Sequence, residues 1–159
     1  MTAEQSNRIE QLYFEMYELL LAYARSSLEN DSLAEESVQE TFRIACLKPD
    51  DLLESPNPKG WLIITLKNTI RNTKRSRATA SKLLVAYMAE GNYDIAYSED
   101  KISLEVMLEN VAQLDEFKLI KEMAVEGKTH LEMANARGIS VDACKKRVQR
   151  AKEFLRRKI

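Results

Sequence analysis

Gly127-Lys128-Thr129-His130-Leu131-Glu132-Met133-Ala134 leads into Arg137-Gly138-Ile139-Ser140-Val141, and then into Lys145-Lys146-Arg147-Val148-Gln149-Arg150-Ala151-Lys152. Local signals organise this stretch. Thr129 followed by Glu132 fits a capping box, in which a hydroxyl caps the helix start and a carboxylate reaches back. Gly138 supplies the positive-φ residue that a sharp helix exit requires. Ser140 can cap the next helix, and Asp142 in its first turn suits the helix dipole. Ala134 is small where two helices would cross closely. Val141, Cys144, Val148, Ala151 and Leu155 recur at spacings of three and four, which makes one buried stripe. The opposite face carries Lys145, Lys146, Gln149, Lys152 and Arg156, with Arg147 and Arg150 beside it. A short capped helix, a glycine turn and a longer helix with a basic face make a helix-turn-helix that reads DNA. The first residues of its second helix would meet base edges, while the arginines and lysines hold phosphates. His130, the only histidine, reads as an exposed helix residue, and Cys144 as core.

Charge along the rest of the chain supports a polyanion partner. The 159 residues carry a net charge of only −1, but the charges are segregated. Residues 1–54 hold 4 basic and 12 acidic groups, and residues 67–82 hold 6 basic and no acidic ones. Residues 83–117 turn acidic again, with 8 acidic groups against 1 basic, and residues 118–159 hold 12 basic and 5 acidic. Two basic blocks parted by acidic ones suit two nucleic-acid contacts, with the acidic surfaces left for a different partner. No apolar run approaches the ~18 residues of a membrane span, and the polar, acidic N-terminus has no signal-peptide pattern. Cys46 and Cys144 sit far apart in helical patterns, as free thiols in a reducing cytoplasm would.

Apolar spacing is helical throughout, so the fold class expected is all-α. Ile9, Leu12, Tyr13, Met16, Leu19, Leu20 and Tyr23 make the first amphipathic helix. Ser32 with Glu35 fits a capping box for the second, which runs on Ala34, Val38, Phe42 and Ala45. That helix stops before Pro49, because the residue before a proline disfavours helix. A turn or loop lies between Leu47 and Gly60. A third helix starts near Trp61 and uses Trp61, Leu62, Ile64, Leu66 and Ile70, ending in the basic stretch from Arg71 to Lys82. Residues 76–100 read as a boundary, with a short helical run such as Leu83 to Met88 inside it. Helical spacing returns with Leu104, Met107, Leu108, Val111, Leu114, Phe117, Ile120 and Met123.

Residues Glu126 to Ala151 resemble the −35-reading domain of bacterial extracytoplasmic-function sigma factors, which belong to the sigma-70 family. The first half resembles the same family independently. Ala34-Glu35-Glu36-Ser37-Val38-Gln39-Glu40-Thr41-Phe42 looks like its polymerase-binding helix, and Trp61-Leu62-Ile63-Ile64-Thr65-Leu66-Lys67-Asn68, with Arg71 and Arg75, like its −10 helix. The resemblance implies two small helical domains, 1–77 and 104–159, joined by an acidic linker at 78–103. It implies a polymerase face of Glu35, Glu36, Gln39, Glu40 and Phe42, directed at the clamp of the β′ subunit. The acidic side chains suit a basic protein partner. Ser55 to Gly60 would capture an unpaired −10 base, with Asn57, Lys59 and Trp61 as candidates. Trp61 also fits a core position. Lys67, Asn68, Arg71, Lys74 and Arg75 would hold the backbone of the melted strand. The −35 contacts implied are Lys128, Thr129, Ser140, Asp142, Ala143, Lys145, Lys146, Arg147, Gln149 and Arg150.

The function expected is promoter direction of RNA polymerase core in the cytoplasm, with no cofactor, no metal and no membrane insertion. An anti-sigma factor is a further partner of the kind the resemblance allows. The alternative is a DNA-binding regulator that no longer engages polymerase, motivated by Leu131 and Ala143, where the family usually has a glutamate and a threonine. An enzyme is disfavoured by a single histidine, no metal-ligand spacing, no glycine-rich phosphate loop and no nucleophile beside a base.

Overall fold

A computed structural model describes residues 1–90 and 115–158. Every regular element among them is a helix, so the protein is all-α: α1 (Ala3–Leu28), α2 (Asp31–Leu47), α3 (Pro49–Leu53), α4 (Pro58–Glu90), α5 (Asp115–Ala124), α6 (His130–Arg137) and α7 (Val141–Lys158). The chain divides into two compact units, Met1–Arg75 and Ser76–Ile159. Helix α4 contributes to both.

In the first unit, the helix ends are set by local hydrogen bonds. Thr2 and Gln5 form a reciprocal capping box at the start of α1, and Glu29, with φ of 53°, ends it. Asn30 caps α2 by accepting from the Leu33 amide at 3.0 Å. The helix therefore starts at Asp31, and Ser32, expected as the cap, lies within the first turn. Asparagine and serine cap about equally well, and both candidates precede the same apolar stripe; it is the Asn30 side chain that bonds the first turn. Pro49 ends α2 as expected but also opens α3, because a first-turn proline lacks only an N–H that would have no helical partner. Thus the expected loop contains a five-residue helix.

The core of this unit takes Ile9, Met16, Leu20, Leu21 and Ala24 from α1 and Ala34, Val38, Phe42 and Ala45 from α2. Leu52 of α3 and Leu62, Leu66 and Ile70 of α4 complete it. Burying each large aliphatic contributes about 1.5–3 kcal/mol. The stripe drawn from sequence needs correction at three places. Leu19 is 58% exposed, Tyr23 40% and Ile64 61%, while Leu21 and Ala24 point inward. At 100° per residue the contact face of α1 passes through Ala24, which is too small to stand out in a search for large apolar side chains.

In the second unit, Ala80 and Leu84 of α4 pack with Phe117, Leu119, Ile120 and Met123 of α5. Met133 and Ala134 of α6 and Cys144, Val148, Ala151 and Leu155 of α7 complete this core. The Tyr87 and Phe117 rings lie 5.9 Å apart. The expected linker began at residue 78, but α4 continues to Glu90 because Ala80, Leu83, Leu84 and Tyr87 supply an apolar stripe for this core. The remainder of that segment, 91–103, and the helical spacing from Leu104 to Leu114 lie outside the described residues. Both cysteines are free, Cys46 exposed and Cys144 buried. Among the described residues no helix is long and apolar enough to cross a membrane.

Candidate functional site

Three surfaces carry the residues singled out from sequence. The first is the outer face of α2. Glu35 and Gln39 are exposed one turn apart, with Glu36 and Glu40 partly buried beside them. Glu40 is held in a two-point pair by Arg43, whose Nε and Nη2 each donate at 2.7 Å. Phe42 departs from the expectation. It is 7% exposed and its ring meets Tyr13 edge-on at 4.9 Å. It lies one turn beyond Val38, on the stripe that already buries Ala34 and Ala45, and so belongs to the core rather than to a partner face.

The second surface is the start and outer face of α4. Asn57 does the capping: its Oδ1 accepts from the Gly60 amide at 3.0 Å, and its backbone carbonyl accepts from Trp61 at 2.9 Å. A Cβ on Gly60 would lie 2.6 Å from the Asn57 side-chain nitrogen, so glycine lets the carboxamide fold over the helix start. Sequence reading assigned Asn57 a base and missed this cap, although an asparagine followed by proline at the first helical position signals it. Lys59 pairs with Glu15 at 3.4 Å; both are largely exposed, so the pair contributes little. Trp61 is partly buried against the first core. Lys67, Asn68, Arg71, Lys74 and Arg75 are all exposed. At 100° per residue Ile64, Asn68, Arg71 and Arg75 centre the solvent face, with Lys67 and Lys74 on one flank. The Lys67 ammonium stands 5.8 Å from the centre of the Tyr23 ring, a cation–π arrangement.

The third surface is the helix-turn-helix. Thr129 is buried and its hydroxyl accepts from the Glu132 amide at 3.1 Å, so α6 begins where the capping box put it. Gly138 has φ of 64°, and the Ile139 amide donates back to the Ala134 carbonyl at 3.1 Å, closing a Schellman-type end. Ser140 caps α7 by accepting from the Ala143 amide at 3.1 Å. Asp142, Lys146, Arg147, Gln149 and Arg150 are exposed, while Ala143 and Lys145 are partly buried. Lys128 is engaged by Glu126 at 3.2 Å and Glu122 at 3.3 Å. These hydrogen bonds hold its ammonium above the usual lysine pKa.

Lys152 corrects the sequence reading. Spacing alone places it on the outer basic face, yet it is 6% exposed. Its Nζ donates to the Ser76 hydroxyl at 2.7 Å and the Ser76 carbonyl at 3.3 Å. Burial, and then repulsion from Arg156, push its pKa down. Its position directly after Ala151 and four after Val148 puts it at the edge of the buried stripe, where α4 covers it.

Two basic helix faces, one of them on the second helix of a helix-turn-helix, have the charge that suits a polyanion partner. Residues 12–79 match the sigma-70 region 2 family, and that match supports a sigma factor of the sigma-70 family. Sigma-70 region 2 supports a role in RNA polymerase binding and promoter melting. A search of curated proteins finds no match.

Proposed function

We propose that the chain is a sigma factor of the extracytoplasmic-function type, acting in the cytoplasm to direct RNA polymerase core to particular promoters. Residues 1–77 serve as the polymerase and −10 domain, and 104–159 as the −35 domain. The observation that supports this most is the register of the second unit. Its Thr129 cap, Gly138 exit and Ser140 cap present Lys146, Arg147, Gln149 and Arg150 on one exposed helix, in a chain whose first half is sigma-70 region 2. On this reading Glu35 and Gln39 face the clamp of β′. Arg71, Lys74 and Arg75 hold phosphates beside the melted −10 strand. No chemistry is performed on a substrate: binding energy to core and to two DNA elements favours the open duplex.

A transcription assay with purified components tests the reading. The chain with core polymerase should initiate from members of a randomised promoter library and select a −35 and a −10 sequence. Initiation without selection, or none, defeats it. A Glu35→Arg/Gln39→Ala double variant should lose core association. Phe42 is left in place because truncating a buried phenylalanine costs about 3–5 kcal/mol of stability by itself.

A further inference from the structure

Helix α6 has eight residues and buries only Met133 and Ala134 from its length. By contrast, α5 buries four side chains in ten residues. Two buried side chains on a helix about 12 Å long leave its angle weakly determined by apolar packing. Yet α6 must be held well, since only Gly138 to Ser140 separate it from α7. One carboxylate reaches both of its ends. Glu122, near the C-terminus of α5, has a side chain 18% exposed. Its Oε1 takes the Lys128 ammonium at 3.3 Å, just before the Thr129 cap. Its Oε2 takes Arg137 Nη2 at 2.7 Å, at the last residue of α6. Arg137 in turn donates to the Met133 carbonyl at 3.3 Å. The Lys128 backbone amide donates to the Glu122 carbonyl at 3.1 Å, so the connecting turn is pinned as well.

We infer that Glu122 is a positioning residue for DNA reading, a clamp that fixes both ends of α6 and thereby the angle at which α7 meets the major groove. The inference rests on α7 being the reader. Lys128, expected from sequence to contact DNA, is one arm of the clamp. Base-edge hydrogen bonds need α7 placed accurately, whereas long lysine and arginine side chains reach phosphates from many angles. Loss of the clamp therefore separates two kinds of binding. Specific affinity falls. Non-specific affinity holds or rises, because removing a carboxylate adds net positive charge to a DNA-binding unit.

The test uses the full chain with core polymerase and two labelled duplexes. One is a −35 duplex selected by the wild type from a random library, the other a shuffled duplex of the same composition. Glu122→Gln should lower affinity for the selected duplex by about tenfold, the value of one good base contact, and leave the shuffled duplex bound as well or better. Lys128→Met and Arg137→Met should each give part of that loss, and neither should add to it in a Glu122→Gln background. A parallel loss on both duplexes, traced to unfolding by circular dichroism, would overturn the clamp; so would an unchanged ratio in all three variants. Lys128→Met, which removes only the more exposed arm, keeps the test open should Glu122→Gln fold poorly. A wild type that selects no duplex would instead defeat the reading of α7, and the clamp with it.

Discussion

The outer face of α4 and the helix-turn-helix both carry candidate DNA contacts, but their residues are employed differently. On α4 the division is clean. Leu62, Leu66 and Ile70 face the core, while Asn68, Arg71, Lys74 and Arg75 face solvent. In the second unit the candidates split. Thr129 and Ser140 cap helices, Lys128 is held by two carboxylates, and Lys146, Arg147, Gln149 and Arg150 remain exposed. A helix in mid-course can give one face to packing and the other to a ligand. A tight turn has no spare face, so residues there serve geometry first. Substitutions on α4 should then change binding alone, and those at the turn should change folding as well.

The largest effects probe whether the two cores are independent. Leu66→Ala should destabilise the first unit by about 2–5 kcal/mol, and Met133→Ala the second by a similar amount. Amide hydrogen exchange read segment by segment shows which unit loses protection. If either variant weakens both units equally, α4 couples the cores and the contrast fails. Next in size is the cap. Thr129→Ala should cost about 1 kcal/mol in thermal unfolding and weaken duplex binding with it. Arg71→Ala should behave oppositely, with stability unchanged within about 0.5 kcal/mol. The salt dependence of binding by the complex with core should flatten by about one unit, as for a lost phosphate contact. An Arg71→Ala variant that unfolds early, or keeps the wild-type salt slope, breaks the comparison on the α4 side.

What was legible in the sequence follows from how local each signal is. Thr129, Gly138 and Ser140 act on backbone groups within three residues, so their types alone located the turn. The stripe Ala34, Val38, Phe42 and Ala45 was equally plain, though the resemblance then asked Phe42 to face a partner as well as the core. Features set by distant chain were not legible. Leu19 and Ile64 fit helical spacing as well as Leu21 and Ala24 do, and only the neighbouring helices decide which are covered. The cap at Asn57 was hidden behind a functional assignment to the same residue. Glu122 gave no signal, because its partners lie six and fifteen residues away and meet only once α6 is folded.

Lys128 and Lys152 sharpen the same contrast with the smallest effect, through pH. Hydrogen bonds from Glu126 and Glu122 raise the pKa of Lys128. Its contribution is therefore fully present below the usual lysine value of about 10.4 and fades only above it. Lys152 has the opposite sign. Burial holds its folded pKa below the unfolded value, so as pH rises the folded chain releases this proton first. Between the two values the unfolded chain binds more protons, and stability rises with pH. Below them the buried ammonium is a constant cost, offset by its bonds to Ser76. Lys152→Met removes both cost and bonds, so stability at neutral pH should stay within about 1 kcal/mol of wild type. The difference between the two proteins should then shift in favour of wild type as pH rises toward the usual lysine value of about 10.4. Chemical denaturation across that range measures it, and taking the difference cancels titrations common to both. Parallel profiles would mean that Lys152 keeps its charge in solvent. The edge of the α7 stripe would then exclude Lys152, and the lysine would return to the outer face where spacing alone puts it.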